Sequence, residues 1–204
     1  MKKSAYLLLI LVSIIGSCHS NNSRPTQDTT RADSTDMLDR LKKTTESIDT
    51  MFDKNKNKLI VFANIDGEGE PILITDGKFP GKVHLTINIL KDSSGNIIRI
   101  SEIPFSESGD WTIILTHYFD KAGKTFAHKR QADYYNSICT DGMAHDVRVE
   151  YYDSNNKLLE KTQTLVDDKK NPLLKDSCQF PYEYEYKISE DLGKYLQTKH
   201  LKIK

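Results

Sequence analysis

Thr86-Ile87-Asn88-Ile89-Leu90-Lys91-Asp92, then Ser93-Ser94-Gly95-Asn96, then Ile97-Ile98-Arg99-Ile100, is the stretch whose reading decides the fold. A β-rich run ends at an Asp, turns through small or polar residues, and leaves as another β-rich run. The same figure returns as His117-Tyr118-Phe119-Asp120, Lys121-Ala122-Gly123-Lys124, Thr125-Phe126-Ala127-His128. It returns again as Glu150-Tyr151-Tyr152-Asp153, Ser154-Asn155-Asn156-Lys157, Leu158-Leu159-Glu160-Lys161. An Asp side chain accepts hydrogen bonds from backbone two residues on, and Gly or Asn supplies the position that needs φ > 0. Short turns of this kind between β-rich runs signal hairpins. The three aspartates are unevenly spaced, which excludes a strict solenoid and predicts an antiparallel meander between Val83 and Val166.

Working outward, Lys58–Ile65 and Ile72–Thr75 read as further strands, separated by the turn Asp66-Gly67-Glu68-Gly69-Glu70-Pro71. Alternation puts Val83, Leu85, Ile87 and Ile89 on one face and His84, Thr86 and Asn88 on the other. Trp111, Ile113, Leu115 and Phe119 share a face, and Val147, Val149 and Tyr151 alternate with Asp146, Arg148 and Glu150. One buried and one solvated face is the expectation from such alternation. Asp167-Asp168-Lys169-Lys170-Asn171-Pro172 reads as a loop, Gln179–Lys187 as a last strand, and Glu190–Thr198 as a short helix with Leu192, Tyr195 and Leu196 inward. Before the sheet, Met37, Leu38, Leu41, Ile48, Met51 and Phe52 recur at three and four, which predicts an amphipathic helix from Met37 to Lys54 packed on one face. The fold class is therefore mainly β (α+β), a twisted antiparallel meander with one N-terminal helix.

The N-terminus reads as an address. Lys2 and Lys3 precede an apolar run from Ala5 to Ile15, followed by Gly16-Ser17-Cys18, the layout of a secretory signal. Ile15-Gly16-Ser17-Cys18 resembles the lipobox of bacterial lipoproteins: an aliphatic residue, two small residues, and the Cys that is lipidated and becomes the mature N-terminus. The resemblance implies a signal peptide over residues 1–17, acyl chains on Cys18 as a membrane anchor, and a cell-envelope location. His19-Ser20-Asn21-Asn22 lacks the Asp that retains such proteins in the inner membrane, so the outer membrane, facing the periplasm, is implied. The turn-rich, Tyr- and Lys-rich body is similar in style to small Bacteroidota lipoproteins. Residues 18–36 are polar, with a single Ala32, and are expected to be a disordered tether. The remainder, residues 37–204, is one domain.

The chain has 204 residues, 29 basic and 29 acidic side chains and a net charge of zero, which gives no electrostatic reason to expect nucleic acid. With Cys18 lipidated, Cys139 and Cys178 remain, and two leftover cysteines in an exported chain are expected to pair. His145 stands near Cys139, the only hint of a thiol–imidazole pair. Gly67-Glu68-Gly69-Glu70 has two glycines of a dinucleotide fingerprint but neither the third nor its strand-to-helix setting. Asp66, Glu68 and Glu70 read as a solvated turn rather than a cation site. His84, His117, His128, His145 and His200 match no zinc spacing; His84 and His117 lie in strands and share a sheet face if those strands are neighbours in register. No catalytic, metal or cofactor site is expected. The expected binding surface is aromatic: Trp111 with Tyr182, Tyr184 and Tyr186, the tyrosines set on a terminal strand that would form an edge able to accept another strand. These residues point to a non-enzymatic, membrane-anchored envelope protein that binds a partner protein or envelope component through its sheet. A glycan-binding lipoprotein and an inhibitor or immunity-type lipoprotein are the alternatives.

Overall fold

The computed structural model describes residues 27–203, with side chains from residue 35 onward. The signal-like segment, Cys18 and the first part of the expected tether lie outside the described residues. Eight strands form one antiparallel sheet: β1 (Ile60–Ile65), β2 (Ile72–Ile74), β3 (Val83–Lys91), β4 (Ile97–Pro104), β5 (Trp111–Phe119), β6 (Thr125–Tyr134), β7 (Ala144–Tyr152) and β8 (Leu158–Val166). Their spatial order is β2-β1-β3-β4-β5-β6-β7-β8. From β3 on this is the expected meander, while β1 lies between β2 and β3 and leaves the three-residue β2 as one edge. The other edge is β8, nine residues long.

The turns that close this meander share one hydrogen-bond pattern. In the β3–β4 turn, Asp92 Oδ1 accepts from the amides of Ser94 and Asn96, both at 2.9 Å. Asp120 Oδ1 accepts from Ala122 and Lys124, and Asp153 Oδ1 from Asn155 and Lys157. The fourth residue of each turn has positive φ: Gly95 at 86°, Gly123 at 76°, Asn156 at 61°. Asp167 builds a fourth copy after β8, where the sequence reads only as a loop. Its Oδ1 accepts from Lys169 and Asn171, and Lys170 holds the positive-φ position at 67°.

Both faces of the sheet are covered, not one. The helix α1 (Gln27–Lys54) starts well before Met37, so part of the expected tether is helical. No Gly or Pro follows Pro25 in this stretch, and extending a helix already nucleated by packing costs little. Leu38, Leu41, Ile48, Met51 and Phe52 pack against Leu90, Tyr118, Phe126 and Tyr151. Polar contacts fix the helix position. Asp49 receives Tyr118 Oη at 2.8 Å, Lys129 Nζ at 2.9 Å and Arg99 Nε at 3.2 Å. The guanidinium of Arg99 lies 3.7 Å from the Phe52 ring centre, a cation–π contact.

The opposite face carries Leu85, Ile87, Ile89, Ile100, Ile113, Leu115 and Phe119. It is covered by the C-terminal segment. Gln179–Lys187 is extended but belongs to no strand, and α2 (Leu192–Thr198) follows, with Leu192, Tyr195 and Leu196 inward as expected. Asp191 caps α2, accepting from the Lys194 amide at 2.8 Å. The expected last strand is therefore a strap laid across the sheet. Tyr-Glu alternation satisfies the period of a strand, but here it reports one side packed on the sheet and one in water. The strap also reverses the expected reading of β7. Asp146 is fully buried beneath it, whereas Val147 and Val149 on the helix face are only half-buried.

Candidate functional site

The disulfide Cys139–Cys178 ties the start of the strap to the β6–β7 loop, as expected. Beyond it, Gln179 N donates to Ser137 O at 2.8 Å. Aromatic rings then descend the sheet. Phe180 meets Tyr134, with centres 4.4 Å apart; Tyr182 stacks on Trp111 at 4.5 Å and 9°; Tyr186 stacks on His128 at 5.0 Å and 15°. At the far end, Thr125 N donates to Glu190 O at 3.0 Å and Ser189 N donates to His117 Nε2 at 3.1 Å. Of the four expected surface aromatics, Trp111 is buried, Tyr184 and Tyr186 face the sheet, and Tyr182 alone is exposed, at 41%. Their strand expectation is corrected with them: they lie over the middle of the sheet rather than along its edge.

Beneath the strap runs a buried polar tract. Asp146 Oδ2 takes Arg130 Nη1 at 2.9 Å and Arg148 Nη2 at 2.8 Å, and its Oδ1 takes Gln163 Nε2 at 2.8 Å. Arg130 Nη2 donates to Tyr134 Oη at 2.6 Å. Glu102 accepts from Tyr195 Oη at 2.9 Å and Lys199 Nζ at 2.6 Å. His117 and His128 are neighbours across β5 and β6, their ring centres 4.8 Å apart, so His117 pairs with His128 and not with His84, which stands on the other face. Burial pushes His117 well below its ordinary value and His128 down to about 4, so both rings are neutral at pH 7. The Ser189 amide occupies His117 Nε2, which places the proton on Nδ1. The strap closes this tract from above, and His117 Nδ1, His128 Nε2 and Arg148 Nε are buried there without a hydrogen-bond partner among the described residues.

A different histidine faces solvent. His145 Nδ1 meets Asp133 Oδ1 at 2.7 Å and its Nε2 meets Asp168 Oδ1 at 3.1 Å. The hydrogen bond to Asp133 raises its pKa, helped by Asp168. With Cys139 in a disulfide and His145 between two carboxylates, the thiol–imidazole pairing is not made. In the Asp66–Glu70 turn, Asp66 pairs with His84, and Glu70 with Lys202 at 2.7 Å. Among the described residues no group of three or more His, Cys, Asp or Glu is arranged to hold a metal ion.

The feature best placed for recognition is β8, which the sequence reading passes over as the second arm of the last hairpin. Backbone groups on alternate residues of a strand point to opposite sides. Leu165 O accepts from Leu173 N at 3.0 Å on the side away from β7, which fixes the parity. Leu159, Lys161 and Gln163 therefore aim their N–H and C=O groups outward, away from the sheet. No Pro interrupts β8, its one register shift is at the Tyr152/Leu158 end, and Lys161 turns aside to Glu150 at 2.6 Å instead of standing over the edge. Natural edges are blunted by short length, Pro, bulges or free Lys. Beyond the Val166–Pro172 bridge that closes one end, β8 carries none of these in its middle. The signal that marks it in sequence is its place as the final rung of the meander, with Glu160-Lys161-Thr162-Gln163-Thr164 polar on both sides.

Comparison with known proteins finds no match to any family model, curated protein or solved structure.

Proposed function

We propose that this chain is a lipid-anchored protein of the bacterial envelope that binds rather than catalyses, and that it takes an extended segment of a partner protein onto the β8 edge. The observation that carries this reading is the long, unblunted edge at Leu159, Lys161 and Gln163. An added strand makes main-chain hydrogen bonds that supply affinity, while side chains alternating between two faces supply selectivity. On the helix side the incoming strand meets Thr162, Thr164 and the Lys42–Glu160 ion pair; on the strap side it meets Gln163 and the Lys161–Glu150 pair. Acyl chains on Cys18 hold this edge at the periplasmic face of the outer membrane and raise its effective concentration toward membrane-bound partners.

The test is a crosslinked pull-down of tagged protein from its native envelope, comparing wild type, Cys18→Ala and Gln163→Pro. Pro at an outward-pointing edge position removes a backbone donor the sheet does not use and blocks strand addition. It also removes the Gln163 Nε2 bond to Asp146. Gln163→Ala, which loses that bond and keeps the amide, is the control and is expected to keep the partner. The expected result is a stoichiometric partner, reduced in Cys18→Ala and absent in Gln163→Pro. A partner retained by a folded Gln163→Pro protein contradicts the edge reading.

One observation favours the glycan alternative. A cleft of about 440 Å³ is lined by Phe105, Glu107, Ser108, Trp111 and Tyr182, with the Phe105 and Tyr182 rings exposed. Quenching of the single Trp111 by soluble envelope glycans, lost in Tyr182→Ala, is the outcome that reading requires.

A further inference from the structure

A second cavity, of about 480 Å³, lies at the end of the sheet where the β3–β4, β5–β6 and β7–β8 turns gather. Its size is within the roughly 300–1,000 Å³ of small-ligand sites. The inner wall is mostly hydrocarbon: Met37, Leu41 and Ile48 of α1, with Thr44 between the last two, stand opposite Ile98 and Phe126. Met37 to Ile48 follows one stripe of the helix for about 16 Å, so the wall is long and narrow. The rim is charged with both signs. Lys121 and Lys124 come from one turn, and Asp92, Asp120 and Asp153 come one from each of the three turns. In Asp120 and Asp153, both lining the cavity, Oδ1 is committed to the turn amides and Oδ2 has no hydrogen-bond partner among the described residues.

We propose that this cavity binds a single-chain zwitterionic amphiphile, a lysophospholipid, with its acyl chain along α1 and its head group on the turn rim. The elongated apolar wall matches hydrocarbon. A phosphate meets Lys121 and Lys124, and an ammonium meets the open oxygens of Asp120 and Asp153. A free fatty acid satisfies this rim less well, because it brings one more anion to three carboxylates. A plain hydrocarbon leaves the rim charges uncompensated at its mouth. An acyl chain on Cys18, which brings no phosphate or ammonium to the rim, is a competitor for the apolar wall and not the proposed ligand. Only that competitor rests on the lipid-anchor reading.

The experiment titrates the mature chain carrying Cys18→Ala with 1-palmitoyl lysophosphatidylethanolamine below its micelle concentration, and with palmitate for comparison, read by native mass spectrometry. The expected result is a one-to-one adduct preferring the lysophospholipid, weakened at least tenfold by Leu41→Trp, which fills the cavity. Met37→Trp, nearer the start of the helix, serves if Leu41→Trp lowers the melting temperature. Lys121→Glu with Lys124→Glu is expected to abolish the preference over palmitate. No saturable adduct, or an adduct unchanged by either Trp variant, overturns the proposal. The lipidated wild-type chain tests that competition. Its N-terminal mass first establishes the acylation. An acylated chain that refuses added lysophospholipid has its own acyl chain in the cavity, and one that accepts it binds the free lipid. An unmodified N-terminus removes the anchor reading, and the Cys18→Ala titration still decides the cavity.

Discussion

Asp146 shows how much one side chain holds. It is fully buried and neutralises two arginines, one of them, Arg130, as deeply buried as itself. Removing one partner of a buried pair leaves an uncompensated charge, at a cost of about 3–5 kcal/mol. Asp146→Ala is expected to lower unfolding free energy by that much in urea denaturation, while Asp133→Ala, on the solvent side, changes it far less. Lys170 is the opposite case. It occupies a left-handed position that Gly95 and Gly123 fill in sister turns. A side chain there costs about 1–2 kcal/mol, partly offset by the greater unfolded-state freedom of Gly. Lys170→Gly is expected to stabilise the protein by roughly 0.5–1 kcal/mol. The same comparison explains why this turn escapes the sequence reading: Asp92, Asp120 and Asp153 are followed by Gly or Asn at the decisive place, Asp167 by Lys.

The histidines give stability a pH dependence with two opposite signs. For His117 and His128 the folded pKa lies below the unfolded value of about 6.5, so the unfolded chain binds more protons in acid. Their contribution is present above pH 6.5 and is lost as pH falls toward the folded values, about 4 for His128. His145 has a raised folded pKa, so its contribution is present below pH 6.5 and is lost as pH rises through that folded value. Melting temperature measured from pH 4 to 8 is expected to fall on the acid side. His145→Gln is expected to remove only the component that declines on the alkaline side.

The elements show where local pattern suffices and where it does not. The hairpins and α1 are legible because their causes are local: Asp turns, period-two alternation, and a stripe at three and four. The strap is not, since whether Tyr182, Tyr184 and Tyr186 line an edge or lie over a face depends on where residues 179–189 cross, a long-range matter. Asp146 and Arg148 read as solvent-side residues for the same reason, because the strap that buries them is far away in sequence. The disulfide is legible from the cysteine count together with the export that the N-terminal resemblance implies. It closes a separation of 39 residues, worth about 4 kcal/mol in the chain-entropy model. Cys139→Ser with Cys178→Ser is expected to cost up to that amount. It should also free the Tyr182 end of the strap and shift Trp111 emission to longer wavelength, because Trp111 is then exposed.

At the scale of the whole molecule, a sheet covered on both faces can accept another strand only at its edges. β2 is three residues long, and β8 is nine. No described helix is long and apolar enough to cross a membrane. The site emerges from topology rather than from any motif: Glu160–Thr164 is polar on both sides, but only the place of β8 at the end of the meander leaves its outer backbone open.

The most direct measurement is a photocrosslinking scan in the native envelope, with a benzophenone amino acid placed singly at Thr162 on β8, at Ile114 on the helix face and at Leu73 on β2. The account predicts that Thr162 crosslinks one partner protein through a single extended segment, and that Ile114 and Leu73 do not. Crosslinking of a partner from Ile114 or Leu73, with none from Thr162, would contradict it.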